Sequence, residues 1–260
     1  MAKVVVERED NVLIMEFNRP EKKNAIDVEM YMELAAAYGE LQRDSELRCG
    51  LLCAKGDHFS TGLDLMEWAP FMMSGKMPDM PEGSIDPLGL DESKRITKPL
   101  VMAVQGFCYT VGIEMLLASD IRVAATSASF NQFEIKRGLY PIGGATTRMI
   151  REIGWGNAMR YLLTADVMSA EEAYRMGLVQ ELVAPGEERK KALNIAKTVA
   201  KQAPIGVRAT LKSARIARLQ GEIAAVERLY DDMELVSKSQ DFQEGILSFM
   251  ERREAKFKDC

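Results

Sequence analysis

Two apolar runs, PLVMAVQG (99–106) and IRVAATSASFN (121–131), flank GFCYTVGIEMLLASD (106–120), a stretch long enough for a short helix. A strand–helix–strand unit of this kind buries its apolar strands only inside a layered α/β core. The same alternation runs through most of the chain. KVVVERE and NVLIMEFN alternate apolar and polar residues on either side of Asp10-Asn11, which predicts an N-terminal hairpin. IDVEMYMELAAAYGELQRD has helical periodicity with Asp27 in the N-cap position. LRCGLLCAK predicts a buried strand, followed by the turn-rich GDHFSTGLD.

The next stretch, APFMMSGKMPDMPEGSIDPLGLDE, carries four prolines and three glycines and predicts a long surface loop or lid. Met72, Met73, Met77 and Met80 within it read as loose packing rather than as a substrate surface. From about residue 143 the pattern turns helical, with GGATTRMIREIG, GNAMRYLLTAD and SAEEAYRMG as short helices and LVQELVAP as a last strand. Longer helices follow Pro185, and the final one puts Phe242, Ile246, Phe249 and Met250 on one face. The expected organisation is a mixed α/β core domain over residues 1–195 and a helical region over 196–260.

Composition excludes several functions. The 260 residues are 47% apolar, enough for one large α/β domain or a core with a small appendage. A net charge of −5, from 34 basic and 39 acidic residues without a long like-charge block, disfavours a nucleic-acid surface but leaves room for a local basic pocket for an anionic cofactor. The start MAKVVVERED lacks a signal-peptide pattern, and no run of about 18 apolar residues occurs, so the expectation is a cytoplasmic chain without a membrane partner. The four cysteines read as buried free thiols. One histidine, His58, leaves little material for a zinc site or a Ser-His-Asp relay, so acid–base chemistry falls to carboxylates or lysines, with no metal.

Three strand exits carry candidates for that chemistry. A helix starting near Gly112 leaves backbone N–H groups near Val111 unpaired, which suits a developing oxyanion, and it carries Glu114 in an otherwise apolar stretch. Glu134 follows a strand, in a loop closed by Gly138, Pro141 and Gly143-Gly144, and strand exits are the usual place for α/β active sites. In HFSTGLDL, Gly62 permits close backbone approach and Leu63 N–H offers a second donor. Plainer readings stand beside these: Glu114 as a solvated helix residue, Glu134 paired with Lys136 or Arg137, Gly62 as a turn, Asp120 as a cap or structural partner. Composition and spacing alone give an α/β enzyme of unknown chemistry.

Taken in order, NRPEKKNAID, FSTGLDL, KPLVMAVQGFCYTVGIEMLLASDIRVA, ASFNQFEIKRGLYP, LLTADVMSAEEAYRMGLVQELV and DFQEGILSFMERREAKF make the chain resemble the crotonase superfamily, whose best-known members are enoyl-CoA hydratases and isomerases. The resemblance implies a spiral of ββα turns with a helical C-terminal oligomerisation region, and homotrimers that commonly pair into hexamers. It implies a CoA thioester as substrate, coenzyme A entering as part of that substrate with no tightly bound cofactor, and a place in fatty acid or other lipid metabolism. By position, Leu63 and Val111 supply the oxyanion-hole N–H groups. Glu114 holds and deprotonates the water that attacks C3, and Glu134 delivers a proton to C2. The backbone of FSTGLDL, through Ser60, Thr61, Gly62, Asp64 and Leu65, lies around the adenine, and Lys23 and a neighbouring subunit's Lys256 lie near the phosphates.

Four positions depart from the family pattern. Thr110 and Val111 stand where glycines are usual, Ile142 occupies a position that often approaches the reacting water, and Met66 replaces a common lysine. The implied activity is an enoyl-CoA hydratase. The alternatives are a Δ3,Δ2-enoyl-CoA isomerase in which Glu134 alone shuttles the proton, and a non-catalytic or RNA-binding relative, against which net acidity and the presence of both glutamates count.

Overall fold

The computed structural model describes residues 2–260. Its strands are β1 (Val4–Glu9), β2 (Val12–Phe17), β3 (Cys49–Ala54), β4 (Leu100–Val104), β5 (Phe107–Tyr109), β6 (Ile121–Ala125), β7 (Ser129–Asn131), β8 (Met168–Ser169) and β9 (Glu181–Val183). The helices are α1 (Val28–Arg43), α2 (Leu65–Ser74), α3 (Val111–Ala118), α4 (Ala145–Ile153), α5 (Trp155–Thr164), α6 (Ala170–Met176), α7 (Glu188–Ala200), α8 (Pro204–Gln220), α9 (Glu222–Val226), α10 (Leu229–Ser237) and α11 (Gln240–Glu251).

Six strands form one sheet in the order β1-β2-β3-β4-β6-β9, parallel except for the β1–β2 hairpin predicted around Asp10-Asn11. β4 is buried along its whole length, as an apolar strand between two layers must be. A second, three-stranded sheet has the order β5-β7-β8. Consecutive strands thus divide between sheets: β4 joins the first and β5 the second, and β6 and β7 do the same. This is the ββα spiral expected, and it corrects the reading of IRVAATSASFN as a single strand. The turn at Thr126-Ser127 breaks that run in two, and each half pairs in a different sheet.

The larger core lies between the six-stranded sheet and the helices that carry the strand exits, with Phe17, Tyr31, Leu34, Met102, Leu116 and Phe130 among its buried members. The smaller one lies on the opposite face, where Ala192, Ala196 and Ala200 of α7 pack on Ile14, Leu51, Val101 and Val123. Three alanines at a spacing of four give α7 a flat stripe, so the helix approaches the strands closely. α7 crosses residue 195 and covers the sheet to its last turn, joining the residues on either side of the expected domain boundary in one layer.

Asp27 caps α1 as predicted, its side chain accepting from Met30 N–H at 2.9 Å. The stretch expected as a continuous loop begins instead with α2, which contains Pro70. Tertiary contact decides this: buried Trp68 donates its indole N–H to Ile26 O at 2.9 Å and packs edge-on against Tyr31. Cys49, Cys53 and Cys108 are buried free thiols, and burial pushes Cys53 up to about 12; Cys260 is free but exposed. Among the described residues no helix is long and apolar enough to cross a membrane.

Candidate active site

Three successive strand ends lie side by side. Ser60 N–H donates to Phe107 O at 2.8 Å, Tyr109 N–H donates to Ser60 O at 3.1 Å, and Thr110 N–H donates to Asn131 O at 2.8 Å. Leu63, Val111 and Glu134 follow these three ends by two or three residues, so one ladder of main-chain hydrogen bonds gathers all three into one region.

Leu63 is fixed from both sides. Ile26 N–H donates to Gly62 O at 2.8 Å and Asp64 N–H to Ile26 O at 2.9 Å. Leu63 N–H and the N–H of Val111, first residue of α3, have no protein acceptor among the described residues. Gly62 has φ +102°, and a Cβ there would lie 1.9 Å from Thr110 Oγ1, so no larger residue fits. Thr110 itself has φ 49° and ψ −117°, a conformation costly for a β-branched residue.

Glu114 sits one turn into α3 with only 4% of its surface exposed. Its Oε1 accepts from Gly143 N–H at 2.7 Å and Ala145 N–H at 3.2 Å, while Oε2 has no protein donor among the described residues. Burial raises its pKa, opposed by those two N–H groups and by the charge of Arg148. Arg148 is held against Leu88 O and Gly89 O, each at 2.7 Å. Glu114 is therefore a buried, oriented carboxylate, and the solvated-residue reading falls.

Glu134 opens a short 3-10 turn after β7 and is half-buried. Burial pushes its pKa up to about 7; its own N–H pulls it down and the charge of Glu114 pushes it up again. With its amide nitrogen facing the carboxylate, Gln132 donates to the two oxygens at 2.7 and 3.0 Å. The alternative pairing with Lys136 does not form, because Lys136 Nζ donates to Ala165 O at 2.8 Å. Asp120 is structural, accepting from Leu100 N–H and from Arg215.

A cavity of about 280 Å³ brings together Leu63, Val111, Glu114 and Ile142, and its remaining wall is mostly apolar, with Tyr31, Trp68, Phe71, Met72, Met77 and Leu88. Two of the four methionines expected as loose packing thus line this space. Glu134 is not on the wall of the cavity, although its charge couples to that of Glu114. Of the cofactor candidates, Lys23 accepts Thr61 N–H at its carbonyl and holds its ammonium 5.6 Å above the Phe107 ring. Ser60 is buried, donating to Asn24 O at 2.8 Å, and Asp64 is tied to Arg19 at 3.0 Å. Leu65 is exposed at the start of α2. Lys256 lies on a separate surface groove beside Glu244 and Lys258, not on the cavity of its own chain. Sequence reasoning missed the anchoring of Glu114 by Gly143 and Ala145. Its one visible signal was the Gly143-Gly144 pair, which reads locally as loop closure.

The family model described as enoyl-CoA hydratase/isomerase matches residues 7–260. The chain belongs to the enoyl-CoA hydratase/isomerase family. It is 35% identical to enoyl-CoA hydratase EchA19 of Mycobacterium tuberculosis over 98% of this chain and 96% of that relative. The crystal structure of a probable enoyl-CoA hydratase/isomerase from Mycobacterium abscessus superposes with a TM-score of 0.95 at 45% identity, covering 98% of both chains. That of enoyl-CoA hydratase from Mycobacterium tuberculosis H37Rv superposes with a TM-score of 0.91 at 31% identity, covering 100% of both. As a family member the chain has the crotonase fold.

Proposed function

We propose that the protein is an enoyl-CoA hydratase that adds water across the 2,3 double bond of a 2-enoyl-CoA thioester. One observation carries this reading: two unpartnered N–H groups, on Leu63 and Val111, share a cavity with a carboxylate whose second oxygen is free. The thioester carbonyl accepts both N–H groups, which strengthen as negative charge grows on the oxygen; one such donor is typically worth ~3 kcal/mol in the transition state. Glu114, its Oε1 anchored, turns Oε2 toward the water and takes a proton as the oxygen bonds to C3. Glu134, near neutrality in its proton affinity, gives a proton to C2. No proton has to travel through histidine or metal in this scheme. The nucleotide half of the thioester lies along residues 60–65, with Lys23 near its phosphates. The exposed apolar residues of α11, with Phe249 85% and Met250 73% exposed, meet other copies in a trimer or a hexamer, where Lys256 reaches a neighbour's site.

The reading is tested with matched 2-enoyl and 3-enoyl thioesters, products being identified by mass and chromatography. Glu114→Gln and Glu134→Gln each lower water addition by about 10²–10⁴-fold, and the double variant is little worse than the poorer single one, because groups acting as a unit are not additive. A second reading, the Δ3,Δ2-isomerase, draws on the pKa of about 7 at Glu134, which suits a lone proton shuttle. It requires loss of double-bond migration in Glu134→Gln with activity largely kept in Glu114→Gln. Retention of full hydration by Glu114→Gln refutes the hydratase assignment of that residue.

A further inference from the structure

The cavity wall carries a polar pair that water addition does not use. Tyr31, 2% exposed, donates its hydroxyl to Asp86 Oδ1, and Leu88 N–H donates to the same oxygen at 3.1 Å. Asp86 Oδ2 has no protein donor among the described residues, and Asp86 lines the cavity beside Trp68, Phe71, Met72 and Leu88. The Tyr31 and Trp68 rings meet edge-on at 5.3 Å, and the Trp68 and Phe71 rings lie 6.0 Å apart, so the wall beside Asp86 is largely aromatic. An acyl group filling the space excludes solvent from Oδ2. A purely hydrocarbon chain then leaves a carboxylate oxygen without a donor, a costly outcome.

We propose that the acyl group of the natural substrate carries a hydroxyl that donates to Asp86 Oδ2, which makes Asp86 the residue that selects it. The proposal rests on the reading of the protein as an acyl-CoA enzyme. Three details favour a hydroxyl over other polar groups. A hydroxyl has one proton to donate, and one acceptor is free. An ammonium has three protons to place and meets a mostly apolar wall that already carries the like charge of Lys76, so its desolvation is poorly compensated. A carboxylate would meet the like charges of Asp86 and Glu114, two against the single cation of Lys76 on the same wall. Burial and the charge of Asp86 both raise the Tyr31 pKa, so the phenol keeps its proton and stays a donor to Oδ1, while Leu88 N–H fixes the same oxygen independently and leaves Oδ2 as the free acceptor.

The test is calorimetric binding of medium-chain saturated acyl-CoA thioesters, which need no chemistry. The set comprises the plain chain, the chain hydroxylated at successive carbons beyond C4, and the chain ending in a carboxylate. Wild type should bind one hydroxylated thioester about tenfold more tightly than the plain one, the scale of a hydrogen bond to a charged group. Asp86→Ala should bring that ratio near unity, whereas Tyr31→Phe, which leaves Oδ2 untouched, should keep it. Equal loss in both variants would mean the pair only shapes the wall and overturns the proposal. So does tighter binding of the carboxylate chain that vanishes in Lys76→Ala, a side chain also on the cavity wall. If Asp86→Ala does not fold, the wild-type panel decides alone: no hydroxylated chain bound more tightly than the plain one refutes the idea. Failure of every thioester to bind sinks the acyl-CoA reading itself. Binding with the hydroxyl preference but no water added to the matching enoyl thioester sinks the hydratase reading alone.

Discussion

Gly143→Ala isolates what holds the proposed base. A Cβ at this position would lie 2.3 Å from Glu114 Oε2 and 2.7 Å from its Cδ, with Leu88 Cδ1 3.1 Å away closing another direction. To reach ordinary van der Waals contact the carboxylate must retreat by about 1 Å, and the 2.7 Å bond from Gly143 N–H lengthens or breaks. A displacement of that size costs about 10²-fold in rate, and losing a hydrogen bond to a charged group costs about 1.5–3 kcal/mol, a comparable factor. Steady-state hydration of a 2-enoyl-CoA should therefore show kcat lowered by about two orders of magnitude with KM little changed, since the proposed nucleotide contacts lie elsewhere. The pH profile carries a second signature. Gly143 N–H is one of the groups that hold the Glu114 pKa down against burial, so its loss raises that pKa further and moves the acid limb of the rate profile to higher pH. Gly156→Ala is the control, for an added Cβ there meets nothing within 4 Å. A Gly143→Ala enzyme with kcat within about threefold of wild type and an unmoved acid limb would refute the anchoring role.

Three further outcomes are expected. The raised Glu134 pKa makes the folded state bind a proton that the unfolded state has lost, so its ionisation subtracts stability as pH rises from 4.5 toward about 7, and fully above that. Glu134→Gln should then gain, relative to wild type, of order 1 kcal/mol at pH 8.5 over pH 5 after allowing for solvent screening, and equal differences in calorimetric melts at the two pH values would contradict this. Thr110→Gly releases a strained backbone worth about 1–3 kcal/mol against a chain-entropy loss of about 0.4–1 kcal/mol, so Tm should rise, and a fall would show that the Thr110 side chain stabilises the site more than its backbone strains it. Removing residues 238–260 deletes α11 and its exposed apolar face, and light scattering should find a smaller assembly; a truncated protein at full oligomeric mass would place the interface elsewhere.

Features fixed by near neighbours along the chain are legible in the amino-acid sequence. Asp27 as a cap, the hairpin at Asp10-Asn11 and the buried strand LRCGLLCAK all depend on contacts within a few residues or on plain apolar patterning. Features fixed by distant contacts are not. α2 reads as a loop because Pro70 and the glycines after it dominate local reasoning, yet Trp68 reaches across to Ile26 O and Tyr31 and stabilises a helix there. Glu114 is recognisable as an odd carboxylate in an apolar run, but its partner Gly143 is 29 residues away and is a backbone group, which no side-chain pattern announces. Asp86 is hidden for a similar reason: it sits in a stretch that reads as loop, and its significance comes from meeting Tyr31, 55 residues earlier.

The two donors gathered by the Ser60–Tyr109 and Thr110–Asn131 ladder belong to the main chain. No point substitution can remove such a group except one to proline, so the proposed oxygen-handling half of the site is insulated from most mutation and can only be re-aimed through backbone conformation. The acyl side has no such insulation, being walled by side chains from α1, α2 and the stretch after it. Drift can therefore rewrite which thioester this scaffold accepts, residue by residue, while the machinery proposed to face the carbonyl is inherited intact.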